Sequence, residues 1–371
     1  MKASLLFALS IAGGLIAACA PSPTPVGQVT SPSPSAIASA APALAACDAS
    51  HRCLALVTLR GSDNILVRDV TDIAHPMTLG NLGSNAASFV SATALEYMLN
   101  GSLVTTPLSG SPTTPVAGVP KDASPAWSPD RSEGVYLTQR GSYETGDQQL
   151  DVHLWRGGTD RVVGTTPGLG MGDCQTITNC GFLSNSLDSR LAFSPDGRFF
   201  SFVAQGFGPS FMYVWSSDGT LLKSDKTKPT SMSIWSAQNL YFRDGSGVKA
   251  WHDGTISEFL PGVFWIKPSA SPAGGKVVYT VRGAGGWGHI YLVDTASGNA
   301  RELKAQRTDA VFLTSRYIWY RGERACVAAD ECGPNPPFHP DNGKTYIYDL
   351  QTGKEYGSII TGVFDVWPHA A

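Results

Sequence analysis

Cysteine supplies the first chemistry to weigh in this chain of 371 residues, which contains seven of them. Six fall into pairs, Cys47 with Cys53, Cys174 with Cys180 and Cys326 with Cys332, and five residues separate the partners each time. One spacing used three times predicts three local disulfides and an oxidising compartment. Each bridge would close a small loop, adding about 2 kcal/mol in the chain-entropy account, and would stiffen that loop rather than join distant strands. Thiolate ligation of zinc is the rival reading, but zinc sites favour shorter spacings and four ligands together. Cys19 is left without a partner.

The other reactive residue types are scattered. The seven histidines, His51, His75, His153, His252, His289, His339 and His369, show no metalloprotease spacing. No Gly-x-Ser-x-Gly nucleophile elbow occurs either. Asp130 and Asp196 each sit in Ser-Pro-Asp, where an aspartate caps its own turn by accepting from nearby amides, so turn structure is the expected role. Gly283-Ala284-Gly285-Gly286-Trp287-Gly288 matches the dinucleotide fingerprint literally. The next residues, His289 to Val293, read as a strand rather than the helix that motif needs, so a hairpin tip is expected. Trp287 at that tip and His339 in the Pro-rich run Phe338-His339-Pro340-Asp341 are the candidate ligand contacts. An aromatic at a loop tip can stack on a sugar or anchor a partner; the plainer alternative for His339 is an ordered surface loop. No catalytic residue, metal ligand or cofactor site is expected.

The elements that would position these residues begin after an unusual leader. Met1-Lys2 precede an apolar run from Ala3 to Ala18, too short to span a bilayer and laid out like a secretory signal. It ends Leu15-Ile16-Ala17-Ala18-Cys19, which resembles a bacterial lipobox. The resemblance implies cleavage before Cys19 and lipid on its thiol. Pro, Ser, Ala and Thr then dominate to about Ala46, a composition with little to bury that forms an extended tether. The expected layout is therefore residues 1–18 as signal peptide, 19–46 as disordered tether and 47–371 as one domain. An envelope location is expected, with the membrane held through the lipid alone. Acidic and basic residues nearly balance, 30 against 27, so no nucleic-acid partner is expected.

The domain itself repeats. An apolar residue, then Ser or Thr, then a turn and a strand-like run recurs as Trp127-Ser128-Pro129-Asp130 and Phe193-Ser194-Pro195-Asp196-Gly197. Weaker copies begin at Val90, Trp235, Ala270, Leu313 and Trp367. The spacings between the seven markers are 37, 66, 42, 35, 43 and 54. Four lie near the roughly 40 residues of a four-stranded blade, and each of the two long ones contains a cysteine pair. Strand ends such as Val214-Trp215-Ser216-Ser217-Asp218-Gly219 and Ile347-Tyr348-Asp349-Leu350-Gln351-Thr352-Gly353 supply hairpin turns. These copies resemble TolB-type β-propeller repeats. The resemblance implies an all-β, seven-bladed propeller of four-stranded blades. Six or eight is the alternative if the copy near Val90 or the cysteine-bearing insertions are misassigned. The last residues read as a first strand with nothing after it, and Leu54 to Leu59 as a later strand without a first. Pairing the two ends would complete one blade and remove open edges. Recurring tryptophans at Trp127, Trp235 and Trp367, and at Trp155, Trp215 and Trp251, point to packing between blades, and Trp265 and Trp319 to the core.

Scaffold and tether together suggest the function. The expected role is an extracytoplasmic binding or scaffold protein that presents a propeller face to a protein or glycan. The alternative is a propeller enzyme acting on extracellular polysaccharide, whose acids could lie whole blades apart and leave no motif. Three acids or histidines at the channel mouth would favour that alternative. The length also leaves no room for a hydrolase domain fused to the propeller.

Overall fold

Short runs of β-branched and aromatic residues bounded by Asp, Gly and Pro can pair only with near neighbours in sequence, and this chain folds that way throughout. A computed structural model describes residue 47 and residues 51–140, 149–166, 191–204, 211–224, 231–326 and 338–369. Among these the strands form seven four-stranded antiparallel sheets, each a meander from an inner to an outer strand, set as the blades of a propeller. Helix among the described residues is confined to the single 3-10 turn Ala284–Gly286.

Blade 1 runs from Ala87 to Pro115, blade 2 from Ala126 to Thr165 and blade 3 from Ala192 to Ser224. Blades 4, 5 and 6 span Ser231 to Pro261, Ile266 to Ala305 and Arg307 to Ser358. Blade 7 takes its inner strand, Ile360–Trp367, from the end of the chain and its other three, Leu54–Leu59, Leu66–Asp69 and Met77–Asn81, from the beginning. Leu54 faces Trp367 across the join and Leu59 faces Ile360, with two irregularities between them. The expected closure is therefore present. All seven sequence markers fall within one residue of the end of an inner strand, so the blade count is seven and the alternatives of six and eight are set aside.

Apolar residues alternate along the strands and fill the spaces between blades. Val135, Leu150, Val152 and Leu154 of blade 2 pack on Phe193, Phe200 and Trp215 of blade 3. Val203, Met212 and Val214 of blade 3 then meet Trp235, Leu240 and Trp251 of blade 4. Corresponding clusters join blades 4 to 5, 5 to 6, 6 to 7 and 7 to 1. Burying each large side chain contributes roughly 2–3 kcal/mol, so every blade depends on its neighbours. Trp265 and Trp319 are core residues, as expected. The recurrent tryptophans pair edge to face within a blade, Trp127 on Trp155 at 5.4 Å and Trp235 on Trp251 at 6.0 Å, and Phe199 of blade 3 stacks on Trp235 of blade 4. Gly164 marks how tightly adjacent blades approach: a Cβ there would lie 2.3 Å from the Trp215 ring of blade 3.

Blades 1 and 2 meet through polar groups instead. Glu96 of blade 1, itself buried, accepts from Trp127 Nε1 at 3.1 Å and from Arg131 at 2.5 Å. Burial pushes its carboxyl upward, and Arg131 and Trp127 offset that in part. The outer strand of blade 1 is only Thr114–Pro115.

A meander gives the ring two unlike faces. Connections from inner to second strand and from third to outer strand lie on one face, here called the turn face. Connections from second to third strand and from one blade to the next lie on the other, the loop face. Leu54 begins and Trp367 ends on the turn face.

Candidate functional site

The turn face is occupied by its own hydrogen bonding. In the Ser-Pro-Asp turn of blade 2, Ser128 Oγ donates to Asp130 at 2.7 Å and Ser132 N donates at 3.1 Å. Blade 3 repeats this with Ser194 donating to Asp196 at 2.6 Å and Arg198 N at 3.1 Å. Asp218, Asp294 and Asp349 take amide or hydroxyl donors in the turns before the outer strands of blades 3, 5 and 6. Donors hold all of these carboxyls below the usual range: Ser128 first for Asp130, Ser216 for Asp218, the Ser297 amide for Asp294 and the Arg316 guanidinium for Asp349. For Asp196 burial pulls upward, and Ser194 and Arg198 outweigh it. Asp72 in blade 7 is lowered by its bond to His75. Asp130 and Asp196 thus hold their turns, as expected.

The loop face is built differently. Its connections range from the single residue Gln306, between blades 5 and 6, to the segment between Thr165 and Ala192, and the described strands flanking residues 167–190 and 327–337 end and begin there. Near its loop-face end, the second strand of blades 2, 4, 5 and 6 carries an arginine: Arg140, Arg243, Arg282 and Arg321.

At the channel mouth of this face, three successive inner strands share one distortion. Between Ser231 and Ile234 in blade 4, Ile266 and Ser269 in blade 5, and Thr308 and Val311 in blade 6, two residues oppose one on the second strand. The first residue of each bulge is left-handed and is not glycine: Met232 at φ 53°, Lys267 at φ 47° and Asp309 at φ 56°. Such a conformation costs roughly 1–3 kcal/mol and persists only where the surroundings impose it, and bulges re-aim side chains. Here Lys267 Nζ of blade 5 reaches Asp309 of blade 6 at 2.9 Å, while Arg321 Nη1 reaches the other carboxylate oxygen at 3.4 Å. Trp265 Nε1 donates to Met232 O at 3.0 Å, and Arg243 Nη1 donates to Trp265 O at 3.1 Å. Burial lowers the Arg243 guanidinium. Asp309 is thus flanked by two cations and does not belong to a cluster of acids; among the described residues no group of three His, Cys, Asp or Glu side chains could hold a metal ion.

A second constellation invites a catalytic reading. In blade 2, Thr138 Oγ1 lies 2.8 Å from His153 Nε2, and His153 Nδ1 lies 3.1 Å from Asp160, the nucleophile–base–acid order of a hydrolase. The His153 ring stacks on Tyr136 at 4.6 Å. The same cross-strand position holds Tyr279 opposite Tyr291 in blade 5 and Tyr320 opposite Tyr346 in blade 6. In each blade an outer-strand acid is nearby: Asp160, Glu302 and Glu355. The ring pair with its outer-strand acid recurs in three blades and so belongs to blade construction, whereas Val281 and Gly322 stand where blade 2 has Thr138.

Gly283 to Gly288 form the hairpin tip expected from sequence, between Lys276–Arg282 and Gly288–Asp294, with Gly285 and Gly286 at positive φ. The tip is strapped to blade 6: Gly288 N donates to the Glu323 carboxylate at 2.6 Å, Arg282 pairs with the same carboxylate, and the Glu323 side chain is wholly buried. Trp287 is half-buried, with its ring 3.6 Å from that of Phe338. That plane is therefore already covered. His339 comes directly after Phe338 in the strand Phe338–Asp349, which brings the two candidate contacts to one corner of the loop face. Cys47 and Cys53 are joined, with Cα atoms 5.5 Å apart, and Cys326 is disulfide-bonded. Cys19, Cys174, Cys180 and Cys332 lie outside the described residues. Sequence reading missed the bulges and the Lys267–Asp309–Arg321 group. The signal available was the arginine recurring near the end of successive second strands.

No family model and no curated protein matches the chain. Among solved structures it is similar to a puromycin-hydrolysing peptidase of Mycobacterium tuberculosis, at 12% identity and TM-score 0.50, over 83% of this chain and 53% of that one. A prolyl endopeptidase aligns at 13% identity and TM-score 0.51, over 82% of this chain and 49% of that one. TolB from Acinetobacter baumannii aligns at 14% identity and TM-score 0.40, over 81% and 77% of the two chains. The chain spans about half the length of each of the two peptidases. At these identities the shared property is the β-propeller fold.

Proposed function

We propose that this chain is an envelope binding protein, held by lipid on Cys19 and a proline-rich tether over residues 19–46, that offers the loop face of its propeller to another protein. The observation that carries the reading is the separation of the two faces. The chain enters at Leu54 on the turn face, and its irregular connections lie on the opposite one. A tether attached ahead of Leu54 joins the propeller at its turn face, so its attachment does not obstruct the loop face. Exposed apolar side chains on that face, Leu99, Phe264 and Ile359, suit a protein partner, and one face of the Trp287 ring that could stack on a sugar is already taken by Phe338. No helix among the described residues is long and apolar enough to cross a membrane.

Crosslinking and affinity capture from intact cells, paired with a glycan array, tests this. The expected result is capture of a protein that is lost on Phe264→Ser and retained on Asp218→Ser, a turn-face change. Turnover of a glycan in the same assay would overturn it. Growth with a labelled fatty acid should mark the wild type and not Cys19→Ala. Non-reduced digests should show Cys174 bridged to Cys180 and Cys326 to Cys332.

A further inference from the structure

We infer that the loop-face mouth of the channel, between blades 4 and 6, binds the terminal carboxylate of a partner's peptide chain, with the last apolar side chain of that peptide resting on Phe264. The inference rests on the binding-protein reading above and names the chemistry of the partner.

Two cations and one acid meet at this mouth, and a third cation, Arg243, lies on the neighbouring blade 4. Asp309 is shared between Lys267 at 2.9 Å and Arg321 at 3.4 Å. Arg243 makes no ion pair among the described residues; its hydrogen bond goes to the Trp265 carbonyl, two residues before Lys267. The surplus at Asp309 is one positive charge in a partly buried setting, where charge-assisted hydrogen bonds are strongest. Arg321 also lies over the Trp319 ring, its Cζ 5.5 Å from the centroid, which leaves its guanidinium held in place from two sides.

The backbone points the same way. Lys267 and Asp309 are the first residues of two of the three left-handed bulges, so the strain is spent on the two side chains that line the mouth. Such strain is retained where a site must be held ready. Asp309 keeps Lys267 and Arg321 in place and is the group a ligand carboxylate would compete with. Three residues before Lys267, Phe264 is 49% exposed in the connection that leads into the inner strand of blade 5. An anionic head next to an apolar surface fits a peptide C-terminus, which carries both within one residue. It does not fit inorganic phosphate, which carries only the first, and an acidic sugar, whose ring face could also rest on Phe264, is the competing outcome of the test.

The test uses the full chain and two pools of hexapeptides ending in Leu or Phe, one with free carboxyl ends and one amidated, read by fluorescence polarisation at low salt. Free-acid peptides should bind and weaken as salt rises, and the amidated pool should bind at least about tenfold more weakly. Lys267→Gln and Arg243→Gln should each weaken the free-acid pool by about tenfold. Asp309→Asn should tighten it, an opposite sign that simple damage to the fold would not produce. Lys267 is half exposed, so its variant should fold, and circular dichroism checks this. Equal binding of the two pools, indifference to Lys267→Gln, or competition by phosphate or oligogalacturonate at lower concentration than by free-acid peptides would each overturn the inference. If neither pool binds while cellular capture still depends on Phe264, the carboxylate inference fails and the binding-protein reading stands.

Discussion

The two faces of this propeller use the same residue types to opposite ends. On the turn face most aspartates are consumed locally, accepting from a hydroxyl or amide two or three residues away, as Asp130 does from Ser128 and Ser132, while Arg131 to Glu96 and Arg198 to Asp253 cross blades there. On the loop face charges reach across blades: Lys267 of blade 5 to Asp309 of blade 6, and Arg282 of blade 5 to Glu323 of blade 6. Left-handed residues occur on both faces: glycines together with Arg131, Ala237 and Asp253 in the turns, and Met232, Lys267 and Asp309 in the inner-strand bulges at the channel mouth. A face whose polar groups are satisfied by neighbours in sequence has little left to offer a ligand. One whose groups are satisfied by other blades, or are left unsatisfied, can exchange partners.

The sharpest way to break the comparison is to open the ring. Deleting residues 360–371 removes the inner strand of blade 7 and uncovers apolar surface on blades 6 and 1. Loss of the cooperative thermal transition is expected, and a chain that still melts in one sharp step would contradict the closure. Glu323→Ala leaves Arg282 and the Gly288 amide without their shared acceptor. A cost of about 3 kcal/mol is expected by urea titration, with faster amide exchange at Gly288. On the turn face, Asp349→Ala removes the acceptor of Arg316 and of the Gln351 amide. About 2 kcal/mol should be lost, with no effect on ligand binding at the other face.

Acid should act on the turn face first. Asp72, Asp130, Asp196, Asp218, Asp294 and Asp349 all titrate below their ordinary value when folded. Their contribution is therefore fully present above the unfolded value near pH 4 and is lost as pH falls through the folded values. The melting temperature should hold between pH 7 and about pH 5 and drop below about pH 4. Exchange should rise first at the turns of blades 2, 3, 5, 6 and 7. The smallest effect is the most pointed. Lys267→Gly relieves a left-handed residue but gives up the ion pair to Asp309, so stability should change by less than about 1 kcal/mol in either direction. Binding at the mouth should fall nonetheless. Stability and recognition would then be separable at one residue.

The same division decides how far the sequence was legible. The Ser-Pro-Asp turns and the Asp-x-x-x-Gly strand ends are local, so Trp127, Phe193 and even the degenerate Ala270 and Leu313 marked inner strands correctly. Closure by the two termini was legible because each end lacked what the other supplied. The channel mouth was not, for two physical reasons. A left-handed bulge usually announces itself with glycine, and Met232, Lys267 and Asp309 carry no such mark. The group at Asp309 also draws Lys267 from blade 5 and Arg321 from the second strand of blade 6, a proximity that their spacing in sequence does not announce. Trp287 shows the converse. Its place at a hairpin tip was read correctly, but Phe338, fifty-one residues later, covers its ring.

The strand Leu54–Leu59 has a mechanical consequence. It lies between Ile360–Trp367 on one side and Leu66–Asp69 on the other, bonded to both. Any pull on the chain ahead of Leu54 runs along this strand and loads two ladders in parallel, in shear, so that several hydrogen bonds must fail together rather than one by one. The Cys47–Cys53 bridge shortens the path of that force just before it enters the strand. A body hung from its N-terminus in this way would be gripped most firmly where its two ends meet.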